Sequence, residues 1–288
     1  MRQKNFRYWF FVLPALIPFS LCILVPAIMG IYYSFTDWNG ISQEIRWVGI
    51  QNYVTIFSGD KNFTHAFVFT LLFAFLGVVL VNLIGFLLAL LVTQKFLAST
   101  FFRAIFFMPN LIGGLLLGFT WQFIFINVFE VLGKSLGIPG LQGWLSNQTT
   151  GFWGMLIVFV WQLSGYMMII YIAGLQSIPD SLLEASYLDG AGLWAKLKHI
   201  ILPLVAPSFT IGLFMTLSNA FKLFDTNLSL TNGNPYKSTE MLALNIYTTA
   251  FTENKLGLSQ SKALLYLIVV TLIALVQLSI NKKREVEM

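Results

Sequence analysis

Six stretches of this chain are each apolar over about the twenty residues that a helix needs to cross the hydrocarbon core of a bilayer. They run roughly Trp9–Tyr33, Ala66–Val92, Ala104–Val128, Phe152–Gly174, Leu204–Phe224 and Ala263–Ile280. In lipid every backbone N–H and C=O must be satisfied internally, which leaves helices or a closed barrel. None of the six alternates in hydrophobicity as a barrel strand does. The chain therefore reads as an all-α integral membrane protein with six transmembrane helices. Composition agrees: 57% of the 288 residues are hydrophobic and 10% are charged, against about 45–50% and about 25% in soluble domains. Such a chain cannot coat a soluble globule of this size, and it is far too apolar to be disordered. Cys22 has no disulfide partner, and His65 and His199 lie too far apart in sequence to suggest a metal centre.

Arg2, Lys4 and Arg7 precede the first stretch, as in a secretory signal. The stretch is too long for one, contains Pro14, Pro18 and Pro26, and lacks a clear small-x-small cleavage site. It reads as a retained span, bent at prolines that packed neighbours can tolerate. Orientation follows the Lys and Arg of short loops. With the N-terminus inside, the inner segments hold Arg2, Lys4, Arg7, Lys95, Arg103, Lys196, Lys198, Lys282, Lys283 and Arg284. The outer segments hold Arg46, Lys61, Lys134, Lys237 and Lys255. This bias predicts both termini in the cytoplasm of a cell-membrane protein. The expected organisation is a short inner segment (1–8), one transmembrane domain (9–281) and a basic inner tail (282–288). The net charge of +5 then marks topology, and no nucleic-acid partner is expected.

The one substantial inner loop covers about residues 175–203. Pro179, Asp180 and Ser181 read as a helix start, with Ser181 and Glu184 at capping-box spacing. Asp189-Gly190 reads as a turn. A second short helix then carries Trp194, Leu197 and Ile201 and is expected to end at Pro203. Asp180, Glu184 and Asp189 would be repelled by an anionic leaflet, so the hairpin is expected to meet a protein.

Glu184-Ala185-Ser186, then Asp189-Gly190-Ala191 and Leu202-Pro203, resemble the EAA loop of ABC importer permeases. The likeness is strongest to the carbohydrate branch, the maltose/glycerol-phosphate-type first permease subunit. Trp47-Val-Gly-Ile-Gln-Asn-Tyr53, Phe102-Arg103 to Pro109, Ala173 to Pro179, Phe221-Lys222-Leu-Phe-Asp225 and Leu230 to Pro235 are similar to further signatures of that branch, in the same order. The sequence departs from the pattern at Ser186, at Leu197 and in the thinned Asn232-Gly-Asn234 turn. The resemblance implies the type I importer permease fold and a non-catalytic subunit. Implied partners are a second permease, two cytoplasmic ABC ATPases and an extracellular solute-binding protein. No cofactor is expected on this chain, with ATP and Mg on the partner ATPase. Glu184, Ala185, Ser186, Asp189, Gly190, Ala191 and Pro203 would form the coupling element seated on that ATPase.

Polar groups inside spans are costly and face a cavity or a partner helix. Phe159, Gln162 and Tyr166 share a face of the fourth span, and Thr216, Asn219 and Lys222 recur every third residue on the fifth. Rings with amides and hydroxyls suit a neutral sugar. The family's sugar-contacting pattern, placed by spacing from Glu184, lands on Phe159, Gln162, Leu163, Tyr166, Thr216, Asn219, Ala220 and Leu223, and only Tyr166 keeps a characteristic type. The other reading is that Gln162 and Asn219 join helices to one another, as Asn82 is expected to do. Lys222 and Asp225 could also form an ion pair. An ion-driven carrier is the rival function, but no Asp or Glu lies in the middle of a span. An intramembrane enzyme would need a catalytic pair at mid-depth, and neither His lies there. Gly133-Lys134-Ser135 resembles the end of a phosphate loop, but Val128 stands where that loop needs Gly.

Overall fold

The computed structural model describes residues 2–94 and 98–282, with side chains described for 10–94 and 98–279. Lys95, Lys283 and Arg284, with residues 285–288 of the basic tail, lie outside the described residues. Among the described residues every regular element is a helix, and one isolated bridge joins Thr36 to Trp47. The fold class is therefore as the apolar stretches predict.

The first span consists of α1 (Arg2–Phe19) and α2 (Val25–Tyr33), joined by a π turn at Ser20–Leu24 that lies between Pro18 and Pro26. A short helix α3 (Gln51–Gly59) leads into α4 (Lys61–Thr93), the second span. Next come α5 (Ser99–Phe107), a 3₁₀ turn at Met108–Leu111, α6 (Gly114–Phe123), a π turn at Ile124–Val128 and α7 (Phe129–Leu136). The fourth span is α8 (Gln148–Gln176). Beyond it, α9 (Asp180–Leu188) and α10 (Leu193–Lys196) form the loop hairpin. A π turn at Leu197–Ile201 carries α10 directly into α11 (Leu202–Phe221). The short helices α12 (Asp225–Leu230) and α13 (Leu242–Tyr247) and a π turn at Thr248–Thr252 precede the last span, α14 (Leu256–Lys282).

Among the described residues six runs are long and apolar enough to cross a membrane: Phe10–Tyr33, Lys61–Thr93, Gly114–Leu136, Gln148–Gln176, Leu193–Phe221 and Leu256–Ser279. The third begins about ten residues later than the expected Ala104. Pro109 has no N–H to give to the helical ladder, and although Met108 itself keeps αR geometry the register tightens to a 3₁₀ turn from there. The chain therefore leaves the α-helix after Phe107, passes through extended Ile112 and Gly113, and restarts at Gly114. The fifth run begins earlier than expected, because Pro203 does not end the second loop helix. Leu202 N–H bonds the carbonyl of Leu197 in the wider π register, and the chain stays helical around the donor that Pro203 lacks.

The chain falls into two compact units, residues 1–61 with 245–268, and 62–244 with 269–288. In the first, Lys262 is buried, with its ammonium 2.8 Å from the Asp60 carboxylate and within hydrogen-bond distance of Asn245 Oδ1 and Thr249 Oγ1. In the second, α4 and α8 approach closely through small residues, as membrane helices do when packing and not water exclusion holds them. A Cβ at Gly77 would lie 2.9 Å from the Phe159 ring, and one at Gly85 would lie 2.8 Å from Met167. Phe73 packs edge-on against both Phe152 and Phe159. Where α4, α8 and α11 meet, Tyr171 Oη donates to Asn82 Oδ1 at 2.5 Å, and Asn82 Nδ2 donates to Thr216 Oγ1 at 3.2 Å. Asn82 thus joins helices, as expected.

Candidate functional site

Helix α11 ends at Phe221 with Lys222 as its C-cap, and α12 starts at Asp225. This interruption lies beside the one in the third span. Gln162 of α8 reaches across and donates from Nε2 to the carbonyl of Ile112, 3.1 Å away. Two broken helices side by side leave a cavity of about 220 Å³. Its walls carry the amides of Asn110, Gln162 and Asn219, the rings of Phe159 and Phe224, and the charged groups of Lys222 and Asp225. Gly114 closes one side, where a Cβ would lie 2.8 Å from Asp225 Cβ.

Four of the six residues proposed from helical spacing, Phe159, Gln162, Asn219 and Lys222, meet at this cavity. The other two are not among its lining residues. Thr216 is fully buried and donates to the Gly212 carbonyl at 2.7 Å while accepting from Asn82, so its hydroxyl is used in packing. Tyr166 directs its hydroxyl to Met215 Sδ at 3.9 Å and its ring toward Phe107. The ion pair considered for Lys222 and Asp225 does not form among the described residues. Both side chains are exposed and both line the cavity. Asn219 Nδ2 is held by the Met215 carbonyl of its own helix at 2.9 Å. Asn110 and Gly114 were not anticipated. The signal for them was present in Pro109-Asn110 and Gly113-Gly114, a helix-breaking run inside an apolar stretch.

The second candidate site is the hairpin. The expected Ser181 cap is absent. Pro179 is the N-cap residue, and with no oxygen on its side chain it caps nothing. Ser181 lies inside the helix, one turn before Glu184. The turn itself is as expected. Gly190 has φ +70°, Gly190 N–H bonds Tyr187 C=O, and Ala191 N–H bonds Ser186 C=O, which closes α9 in a Schellman motif. Ser186 is buried and donates to Leu183 C=O at 2.6 Å, so only a small side chain suits this position. Glu184, Ala185, Asp189 and Gly190 are exposed. Lys196 is buried, with its ammonium 3.1 Å from the centre of the Tyr187 ring, a cation–π contact that pins α10 to α9. Leu188 and Leu193, 90% and 83% exposed, and Trp194 form an apolar tip beside the turn. Pro203 is half-buried in the continuous helix beyond.

The family model for the inner membrane component of binding-protein-dependent transport systems matches residues 81–286. The chain belongs to that family. Its members are permease components, and both candidate sites lie within the matched segment. A Thermoanaerobacterium thermosulfurigenes protein described as a "Probable starch degradation products transport system permease protein" is 48% identical over 286 residues, covering 99% of this permease and 97% of the relative. A Streptococcus mutans multiple sugar-binding transport system permease protein is 32% identical over 279 residues, covering 96% of each chain. The crystal structure of a bacterial ABC transporter involved in the import of the acidic polysaccharide alginate superposes with a TM-score of 0.85 at 20% identity. That likeness covers 98% of this permease and 96% of the other chain and establishes the fold.

Proposed function

We propose that this permease carries a neutral, starch-type oligosaccharide into the cell as one transmembrane half of an ABC importer. The observation that carries the reading is the cavity between the broken third span and the end of α11. Its volume of about 220 Å³ suits one pyranose ring. The Phe224 ring can stack on a sugar C–H face, backed by Phe159, which is itself buried against Phe73, while Asn110, Gln162 and Asn219 offer amide donors and acceptors to hydroxyls. Lys222 and Asp225, unpaired with each other, can hydrogen-bond further hydroxyls. A starch degradation products permease that is 48% identical along nearly its whole length supports this cargo.

Both termini and the α9–α10 hairpin lie on the cytoplasmic side in this reading. The exposed apolar tip of Leu188, Leu193 and Trp194 then meets an ABC ATPase, with Glu184 and Asp189 at its margin. The chain itself hydrolyses nothing. Two ATPases supply the energy, a second permease completes the pathway, and a solute-binding protein delivers the sugar on the far side. The Schellman turn and the Lys196–Tyr187 contact make the hairpin stiff enough to pass motor movement into α11, with which it is continuous. Nucleotide drives the cycle only through different affinities for the inward- and outward-open states.

The test is uptake of labelled malto-oligosaccharide in cells carrying the complete transporter. Gln162→Leu and Asn219→Leu should raise the KM for sugar with assembly unchanged, and Glu184→Lys should abolish uptake and lower ATPase stimulation by loaded binding protein. Uptake that survives ATP depletion but collapses with the proton gradient would overturn the reading, as would unchanged uptake in all three variants.

A further inference from the structure

Helix α3 divides its surface into three sectors. At 3.6 residues per turn, Asn52, Tyr53 and Ile56 share one, Ile50, Val54 and Phe57 a second, and Gln51, Thr55 and Ser58 a third. The first sector docks on the end of the first span. Ile56 is 1% exposed, Asn52 Nδ2 donates to the carbonyls of Ser34 and Thr36 at 2.9 and 2.8 Å, and Tyr53 Oη donates to Ser34 Oγ at 2.9 Å. The third sector is polar and exposed, with Thr55 and Ser58 hydroxyls satisfied by the carbonyls one turn back. The second sector is apolar yet open, with Ile50 at 68%, Val54 at 45% and Phe57 at 77% exposure. A helix between protein and water needs two sectors. Three are the pattern of a helix between protein, water and lipid.

Independent features place α3 at the level of the membrane surface. Its anchor residues Ser34 and Thr36 directly follow α2. Around them Tyr33 packs on Trp38, Phe35 stacks on Trp47 with centroids 5.4 Å apart, and Tyr32 touches Trp47. Trp and Tyr collect at headgroup level. At the other end of α3, Asp60 alone separates it from α4, and Asp60 is fixed by the ion pair with Lys262 near the start of α14. Both ends of α3 are thus tied to span ends. The helix carries no charged residue, so seating one sector in the interface desolvates no charge.

We propose that α3 is an in-plane interfacial helix, with Ile50, Val54 and Phe57 immersed at the boundary between lipid headgroups and acyl chains and Gln51, Thr55 and Ser58 facing water. The test uses the full chain in the assembly in which it purifies from membranes, reconstituted in phosphatidylcholine/phosphatidylglycerol nanodiscs. In a Cys22→Ser background, spin labels are placed through Val54→Cys, Phe57→Cys, Gln51→Cys and Thr55→Cys. Power saturation should give oxygen accessibility above that of a water-soluble nickel chelate at 54 and 57, and the reverse at 51 and 55. Nickel access at 54 and 57 equal to that at 51 and 55 would overturn the proposal. So would low access of both reagents at 54 and 57, since a protein would then cover the stripe. As a second readout, brominated lipid should quench the fluorescence added by Phe57→Trp but not that added by Thr55→Trp; equal quenching would overturn it too.

Discussion

Gly165 sits where α8 crosses the end of α5. A Cβ built there overlaps the carbonyl oxygen of Phe106 and lies 3.0 Å from the backbone nitrogen of Phe107. The obstacle is backbone and cannot rotate away. Ordinary C···O approach stops near about 3.3 Å, so Gly165→Ala requires the last turn of α5 to retreat by more than about 1 Å. Overpacking typically costs about 1–3 kcal/mol, and an unyielding backbone contact belongs at the top of that range. At about 2–4 °C per kcal/mol for a chain of this size, the melting temperature should fall by about 6–12 °C. Thermal loss of the monodisperse peak in size-exclusion chromatography measures it, with Gly140→Ala as the control because nothing lies within 4 Å of a Cβ there. The same retreat moves Pro109 to Ile112, so the Gln162 bond to Ile112 should break and sugar affinity should fall with stability. A Gly165→Ala protein that melts with the Gly140→Ala control would refute the close approach of α5 and α8.

Three further outcomes follow from buried polar contacts and one turn. Asn82→Leu leaves the Tyr171 hydroxyl buried without its acceptor and should cost about 1–3 kcal/mol; adding Tyr171→Phe should recover part of that loss, as a melting-temperature double-mutant cycle will show. Asp60→Asn removes the anion from an almost fully buried Lys262 and should destabilise the first unit by about 3–5 kcal/mol, read as faster amide exchange across α3 and the start of α14. Gly190→Ala forces a side chain into φ +70° at a cost of about 1–2 kcal/mol, which should appear as accelerated exchange confined to residues 180–196.

The sequence made the spans legible because hydrocarbon imposes one requirement on all of them: enough consecutive apolar residues, with backbone groups satisfied internally. Edges were less legible where proline acts. Pro109 breaks its helix and Pro203 does not, yet both stand in apolar runs. The difference lies in what surrounds them. Pro109 is followed by extended Ile112 and Gly113, after which the chain restarts as α6, whereas Pro203 follows a π turn that absorbs the missing donor. No local pattern announces a π turn. The Asp189-Gly190 turn was legible because its cause, a left-handed glycine, is local. The Ser181 cap failed because Pro179 already fixes the helix start two residues earlier.

The split within the fifth span shows why helical spacing alone could not separate lining residues from packing residues. Thr216, Asn219 and Lys222 are three apart and share a face, but a face says nothing about depth. At Thr216 the neighbour is unbroken α4, whose Asn82 takes up the hydroxyl. One and two turns on, the neighbour is the stretch from Met108 to Gly113, where helix gives way to irregular backbone. Such backbone is tolerated at membrane depth only where protein buries it or a cavity wets it. Gln162 serves the first condition by satisfying the Ile112 carbonyl. The cavity beside Asn110 and Gly114 serves the second. The helix break and the polar cavity are therefore one feature, and a substitution that made Met108 to Gly113 helical should close the cavity and strand Asn219 and Lys222 against hydrocarbon. Pro109→Ala with Gly113→Ala is that substitution, and its expected result is a permease that assembles but no longer binds or moves sugar. Full transport by the double variant would show that the break and the polar path are independent of one another.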